Sequence, residues 1–94
     1  MTLAETRALA EEPREIRIKR LTMRSMRRGI KEMDILLTEY AAANLAAMEP
    51  EKMELYDSLL RENDQDLYQW VTGQAPAPAR FEALVGEISR TYEK

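Results

Sequence analysis

From Ile30 onward the apolar side chains return at a helical period, and no segment shows sustained two-residue alternation bounded by turn residues. Ile30, Met33, Leu37, Tyr40 and Asn44 follow spacings of three, four, three and four, and Leu36, Ala43 and Ala47 widen the stripe. A half-buried strand requires period two, whereas this spacing lines one face of a helix, and that face must be covered by other apolar surface. The rest of the chain supplies it. Ile18, Leu21 and Ser25 share a face flanked by Met23 and Met26, and Met53, Tyr56, Leu59 and Leu60 form a third stripe. Leu67, Trp70 and Val71 form a fourth, and Phe81, Leu84, Val85, Ile88 and Tyr92 a fifth. The expected fold is all-α, a small single-domain five-helix bundle.

Punctuation sets the boundaries. Residues 1–13 supply no regular apolar face and read as a mobile tail ahead of a domain spanning 14–94. Gly29 ends the first helix, since a missing side chain permits the positive φ that a tight helix-to-helix turn often requires. Glu49-Pro50 stops the second helix, and Pro50 opens the third, because the first helical N–H has no intrahelical acceptor and proline forgoes it without loss. Asn63 or Asp64 caps the fourth helix, with Asp66 in its first turn suiting the positive end of the dipole and Trp70 filling the core. Thr72-Gly73 closes that helix, and Ala75-Pro76-Ala77-Pro78 is a stiff spacer to the fifth.

Length and composition then remove whole classes of function. A 94-residue chain buries one core but not a deep, water-excluding cavity as well. It has no cysteine and no histidine, so disulfides, thiolate or imidazole metal sites, cysteine nucleophiles and Ser-His relays are excluded. No apolar run approaches the roughly 18 residues of a membrane span, so no membrane insertion is expected. Carboxylate, amine, guanidinium, hydroxyl and phenol groups remain, which on so small a domain more often build binding surfaces than reaction centres.

Charge is segregated. Arg14, Arg17, Lys19, Arg20, Arg24, Arg27, Arg28 and Lys31 stand against Glu15 alone, a local charge of +7 in a chain whose total is −3. Such a basic pole attracts phosphates or an acidic protein surface. A nucleic-acid site is one reading, with the Gly29 turn superficially like a helix-turn-helix, although the second helix carries Met, Ile, Leu, Ala and acids rather than base-reading Arg, Asn or Gln. A generic protein-interaction module is another. Within the pole, Arg28, Gly29 and Glu32 form the sharpest grouping. One account is structural: Glu32 favours the helix start, Arg28 pairs with it, and Gly29 makes the corner. The other holds Arg28 and Glu32 outward as a two-signed recognition feature.

The run Arg20-Leu21-x-x-Arg24-Ser25-x-x-Arg28-Gly29-x-x-Glu32-x-Asp34-x-Leu36-Leu37, followed by Asp64-x-Asp66-Leu67-Tyr68-x-Trp70, resembles the SdhE family, the succinate dehydrogenase assembly factor 2 or flavinator proteins. The resemblance covers residues 16 to 90. It implies a five-helix protein that assists covalent attachment of FAD to the flavoprotein subunit of succinate dehydrogenase, and in some bacteria of fumarate reductase. It implies no cofactor of the chain's own, since the FAD belongs to the client, and no catalysis by its own residues: a client histidine bonds to the flavin while this chain favours the aligned conformation. Arg28, Gly29 and Glu32 become the client-binding surface, with Arg27 and Asp34 adjoining it. A monomer that binds no nucleic acid is expected. Because mitochondrial members carry a basic presequence, whereas residues 1–12 here are acidic, the expected location is a bacterial cytoplasm.

Overall fold

A computed structural model describes residues 12–92 of the chain. Five α-helices follow one another: α1 (Arg14–Arg24), α2 (Lys31–Asn44), α3 (Pro50–Leu60), α4 (Asp64–Val71) and α5 (Glu82–Tyr92), with 3-10 turns at Leu45–Ala47 and Ala79–Phe81. The described residues contain no strand, and the all-α single domain expected from periodicity is what forms. Helix α2 is the central element, packing against α1, α4 and α5.

The core is built from the stripes. Leu21, Met33, Leu36, Leu37 and Tyr40 from the first half meet Met53, Tyr56, Leu59, Leu60, Leu67, Val71, Phe81, Leu84, Val85 and Ile88 from the second, all buried. Tyr40 and Tyr56 lie with ring centroids 5.5 Å apart and planes tilted by 48°. One part of the stripe differs from expectation: Ala43 and Ala47 are exposed, and Leu45 and Met48 are buried in their place. Ala43 precedes the 3-10 turn at Leu45–Ala47 and lies on the opposite side of α2 from buried Ala41; the buried face runs through Leu37, Ala41, Leu45 and Met48, whose spacings of four, four and three are themselves helical. Trp70 is half-buried at the edge of the core, its ring 6.2 Å from that of Phe81. Ile18 and Ile30 also pack only partly against it.

The helix boundaries follow local chemistry. Pro50 occupies the first turn of α3, preceded by Glu49 in extended conformation. Asn63 caps α4, its Oδ1 accepting the Gln65 N–H at 2.7 Å. Gly73 follows the Thr72 cap with φ +79°, a left-handed conformation that glycine adopts without crowding. Of the segment read as a tail, residues 1–11 lie outside the described residues. Glu12 is held against α1: its carboxylate accepts from Arg20 Nε and Nη2 at 3.0 and 3.1 Å.

Candidate functional site

The conspicuous local geometry is the six-residue corner between α1 and α2. Helix α1 stops at Arg24, five residues before the glycine that was expected to end it. Ser25 is the C-cap. Its hydroxyl is fully buried, 2.8 Å from the Leu21 carbonyl and 2.6 Å from the Tyr56 hydroxyl, which ties the last turn of α1 to the middle of α3. Burial pushes the Tyr56 phenol up to about 12, with the Ser25 hydrogen bond and the nearby Arg28 charge opposing the rise.

The chain then reverses through Met26 and Arg27. The left-handed residue is Arg27, with φ +55°, and not Gly29, whose φ is not positive. Asp34, in the first turn of α2, holds this conformation by accepting the Arg27 N–H at 3.0 Å. The need for glycine at position 29 arises elsewhere. A Cβ there would lie 2.9 Å from Asp64 Oδ2, inside normal contact, because the Asp64 carboxylate sits directly against the backbone and accepts the Gly29 N–H at 2.6 Å. The glycine is required for a close approach rather than for an unusual dihedral.

Asp64 belongs to the first turn of α4, 35 residues further along, and its second oxygen accepts from Arg28 Nε at 2.7 Å. Arg28 Nη1 donates in addition to the Arg24 carbonyl at 2.9 Å. One carboxylate therefore latches both residues of the Arg-Gly pair, and the Arg28 side chain is only 11% exposed. This corrects two sequence expectations. Arg28 does not pair with Glu32, because α2 begins at Lys31 and Arg28 lies in the loop, so helical i, i+4 spacing does not relate the two. Arg28 also does not project outward. Asp64 is not the cap of α4, since Asn63 has that role. Its function at the corner is the feature that sequence reasoning missed; the available signal was a carboxylate surplus in Asn63-Asp64-Gln65-Asp66, beyond what one helix start needs.

The other candidates fall on the same corner. Glu32 is exposed in the first turn of α2, with no ion-pair partner among the described residues, and Gly29 is exposed beside it. Arg27 is exposed and likewise unpaired among the described residues. Asp34 is half-buried and is also 3.4 Å from the Thr38 hydroxyl.

Folding redistributes the basic pole. Arg14 donates to the carbonyls of Ala46 and Met48 at 3.0 and 2.7 Å, satisfying the end of the 3-10 turn. Arg20 joins Glu12 to Asp57, Arg17 and Arg24 approach the same two carboxylates at 3.6 and 3.7 Å, and Arg28 holds Asp64. Of the eight basic side chains, Lys19, Arg27 and Lys31 have no partner among the described residues. A stripe able to neutralise many phosphates, read from the sequence, becomes in the fold a few free cations, Arg27 and Lys31 at the corner and Lys19 along α1.

Comparison with known proteins bears on this corner. A family model described as "Flavinator of succinate dehydrogenase" matches residues 19–92. "Succinate dehydrogenase assembly factor 2, mitochondrial" of Aedes aegypti is 37% identical over 85 residues, which cover 88% of this chain and 53% of that protein. The protein of the same name from Kluyveromyces lactis is 46% identical over 65 residues, covering 66% of this chain and 40% of its own length. The chain thus spans about half the length of the curated relatives it matches. Their names place them in mitochondria, in contrast to the bacterial cytoplasm expected from residues 1–12. No described helix is long and apolar enough to cross a membrane.

Proposed function

The chain belongs to the family of flavinators of succinate dehydrogenase, and from that membership we propose that it binds the flavoprotein subunit of succinate dehydrogenase and promotes covalent attachment of FAD. The observation that carries the reading is the latched corner. It lies within the matched residues, it is held by a carboxylate from a distant helix, and it leaves Gly29 and Glu32 exposed side by side with Arg27. A rigid corner presenting both signs of charge beside bare backbone suits recognition of a protein surface, because little conformational freedom is lost on binding.

The chemistry of attachment belongs to the client in this reading. With neither histidine nor cysteine, the chain contributes differential binding: it favours the client conformation in which flavin and attaching side chain are aligned. Glu32 would meet a basic client group and Gly29 would permit close approach of the client backbone. Fumarate reductase flavoprotein is a second client of the same kind, and FAD remains the client's cofactor. The bacterial cytoplasm stays the proposed compartment against relatives named mitochondrial; fractionation of host cells with an antibody to the chain decides it.

The central test expresses the host's succinate dehydrogenase flavoprotein subunit with and without this protein and reads covalent flavin as in-gel fluorescence after denaturation. The expected result is a signal that depends on the protein and falls with an Arg28→Ala/Glu32→Ala double substitution. A signal indifferent to the protein refutes the proposal.

A further inference from the structure

Two adjacent arginines stand at the corner, and the fold treats them oppositely. Arg28 is occupied: Asp64 and the Arg24 carbonyl take two of its N–H donors, and little of its side chain meets solvent. Arg27 is exposed, has no charged partner among the described residues, and is the sole non-glycine residue among those described with positive φ. In that conformation Cβ crowds the neighbouring backbone, and glycine or asparagine would make the same turn with less strain. The turn itself therefore does not explain an arginine at position 27. A non-glycine residue held in a strained conformation, with its N–H fixed by Asp34, is a pattern that accompanies functional placement of a side chain.

The surroundings add a second, independent observation. Met26 precedes Arg27, and Met23 lies one turn earlier, where its carbonyl accepts the Met26 N–H at 3.1 Å. These two side chains are 41% and 72% exposed, in contrast to the buried Met33, Met48 and Met53. An exposed guanidinium that follows exposed, adaptable apolar residues in the chain gains strength when a partner covers the group and excludes water, and arginine so placed is a common centre of binding energy.

Resting on the reading given under Proposed function, we infer that Arg27, and not Arg28, is the cation that meets the client: its guanidinium pairs with a carboxylate of the flavoprotein, with Met23 and Met26 packing around the pair. Arg28 is then a positioning residue, which with Asp64 fixes the backbone that presents Arg27 and Glu32.

The experiment compares the full-length wild type with Arg27→Gly and Arg27→Lys for thermal midpoint, affinity for the purified flavoprotein subunit, and covalent flavin formed. Arg27→Gly is expected to raise the midpoint by relieving the backbone while weakening client binding by roughly tenfold and lowering covalent flavin. Arg27→Lys keeps the charge and the strain, so its midpoint stays at the wild-type value and much of the binding returns. A merely structural role would not separate midpoint from affinity in opposite directions. Wild-type affinity in Arg27→Gly, or a midpoint that falls together with affinity, overturns the inference. If the wild type itself neither binds the subunit nor raises its covalent flavin, the proposed function fails and the inference with it. A wild type that works beside an equally active Arg27→Gly removes the inference alone.

Discussion

Replacing Asp64 by alanine separates the two roles its position suggests. As an acidic residue in the first turn of α4, next to an asparagine that already caps the helix, Asp64 would be worth about 0.3–1 kcal/mol through the helix dipole. As the latch it accepts two hydrogen bonds, from Arg28 Nε at 2.7 Å and Gly29 N–H at 2.6 Å. Hydrogen bonds to a charged group are worth about 1.5–3 kcal/mol each, and the pair is partly shielded, its side chains being 11% and 23% exposed. Discounting for that residual solvent leaves a loss of about 2–4 kcal/mol, which in a domain of this size lowers the thermal midpoint by roughly 10–20 °C. Urea unfolding followed by circular dichroism measures it. Gly29→Ala supplies the internal control. With Asp64 present, the added Cβ meets Oδ2 at 2.9 Å and must push the carboxylate back, weakening both bonds at a cost of about 1 kcal/mol. In the Asp64→Ala background nothing stands in its way, and the substitution becomes neutral or stabilising by about 0.5 kcal/mol, since alanine restricts the unfolded chain more than glycine does. A loss below about 1 kcal/mol for Asp64→Ala, or an equal effect of Gly29→Ala in both backgrounds, refutes the latch.

Two further outcomes follow from the same geometry. Ser25→Ala removes the one side-chain partner that the buried Tyr56 hydroxyl has among the described residues and should cost about 1–3 kcal/mol, most of it recovered when Tyr56→Phe is added; the four chemical-denaturation curves check this, and additive losses would contradict it. Glu87 is held below its ordinary value of 4.5 by hydrogen bonds from Lys52 and the Tyr40 hydroxyl, at 2.6 and 2.7 Å. Its folded pKa is depressed, so its contribution is complete above the unfolded value and is lost as pH falls through the folded one. Glu87→Gln should accordingly destabilise at neutral pH and flatten the fall in midpoint below about pH 4.5; an unchanged acid limb would show that other carboxylates carry the transition.

Much of this was legible from residue order. Pro50 had to open α3, Asn63 was a good cap, and the Met53–Leu60 and Phe81–Ile88 stripes face inward as their spacing requires. The errors have local causes. The α2 stripe was widened on paper through Ala43 and Ala47, but the buried face follows Leu37, Ala41, Leu45 and Met48, one side further round the same helical period. Gly29 looks like a left-handed corner because glycine usually is one, yet its lack of a side chain serves a carboxylate arriving from another helix. Ser25 was placed on the buried face, which its full burial matches, while its tie to Tyr56 was not visible.

Residue order alone fixes that the described residues are helical, that they form five α-helices, most of the faces those helices bury, and, through the Arg-Gly-x-x-Glu corner and its companion segment, which family the chain resembles. These properties reside in short-range spacing, and short-range spacing is what backbone sterics and helix periodicity read. Which charges stay free depends on how the helices pack. The pairs that settle it, Arg28 with Asp64, Arg20 with Asp57 and Lys52 with Glu87, join residues 35 to 37 positions apart. Each exists because packed helices bring side chains together at particular heights and angles, which no local pattern specifies. A chain that reads as a uniform basic stripe thus folds into an anchored corner with one strained, exposed arginine, because the other guanidiniums nearby found carboxylates when the helices closed.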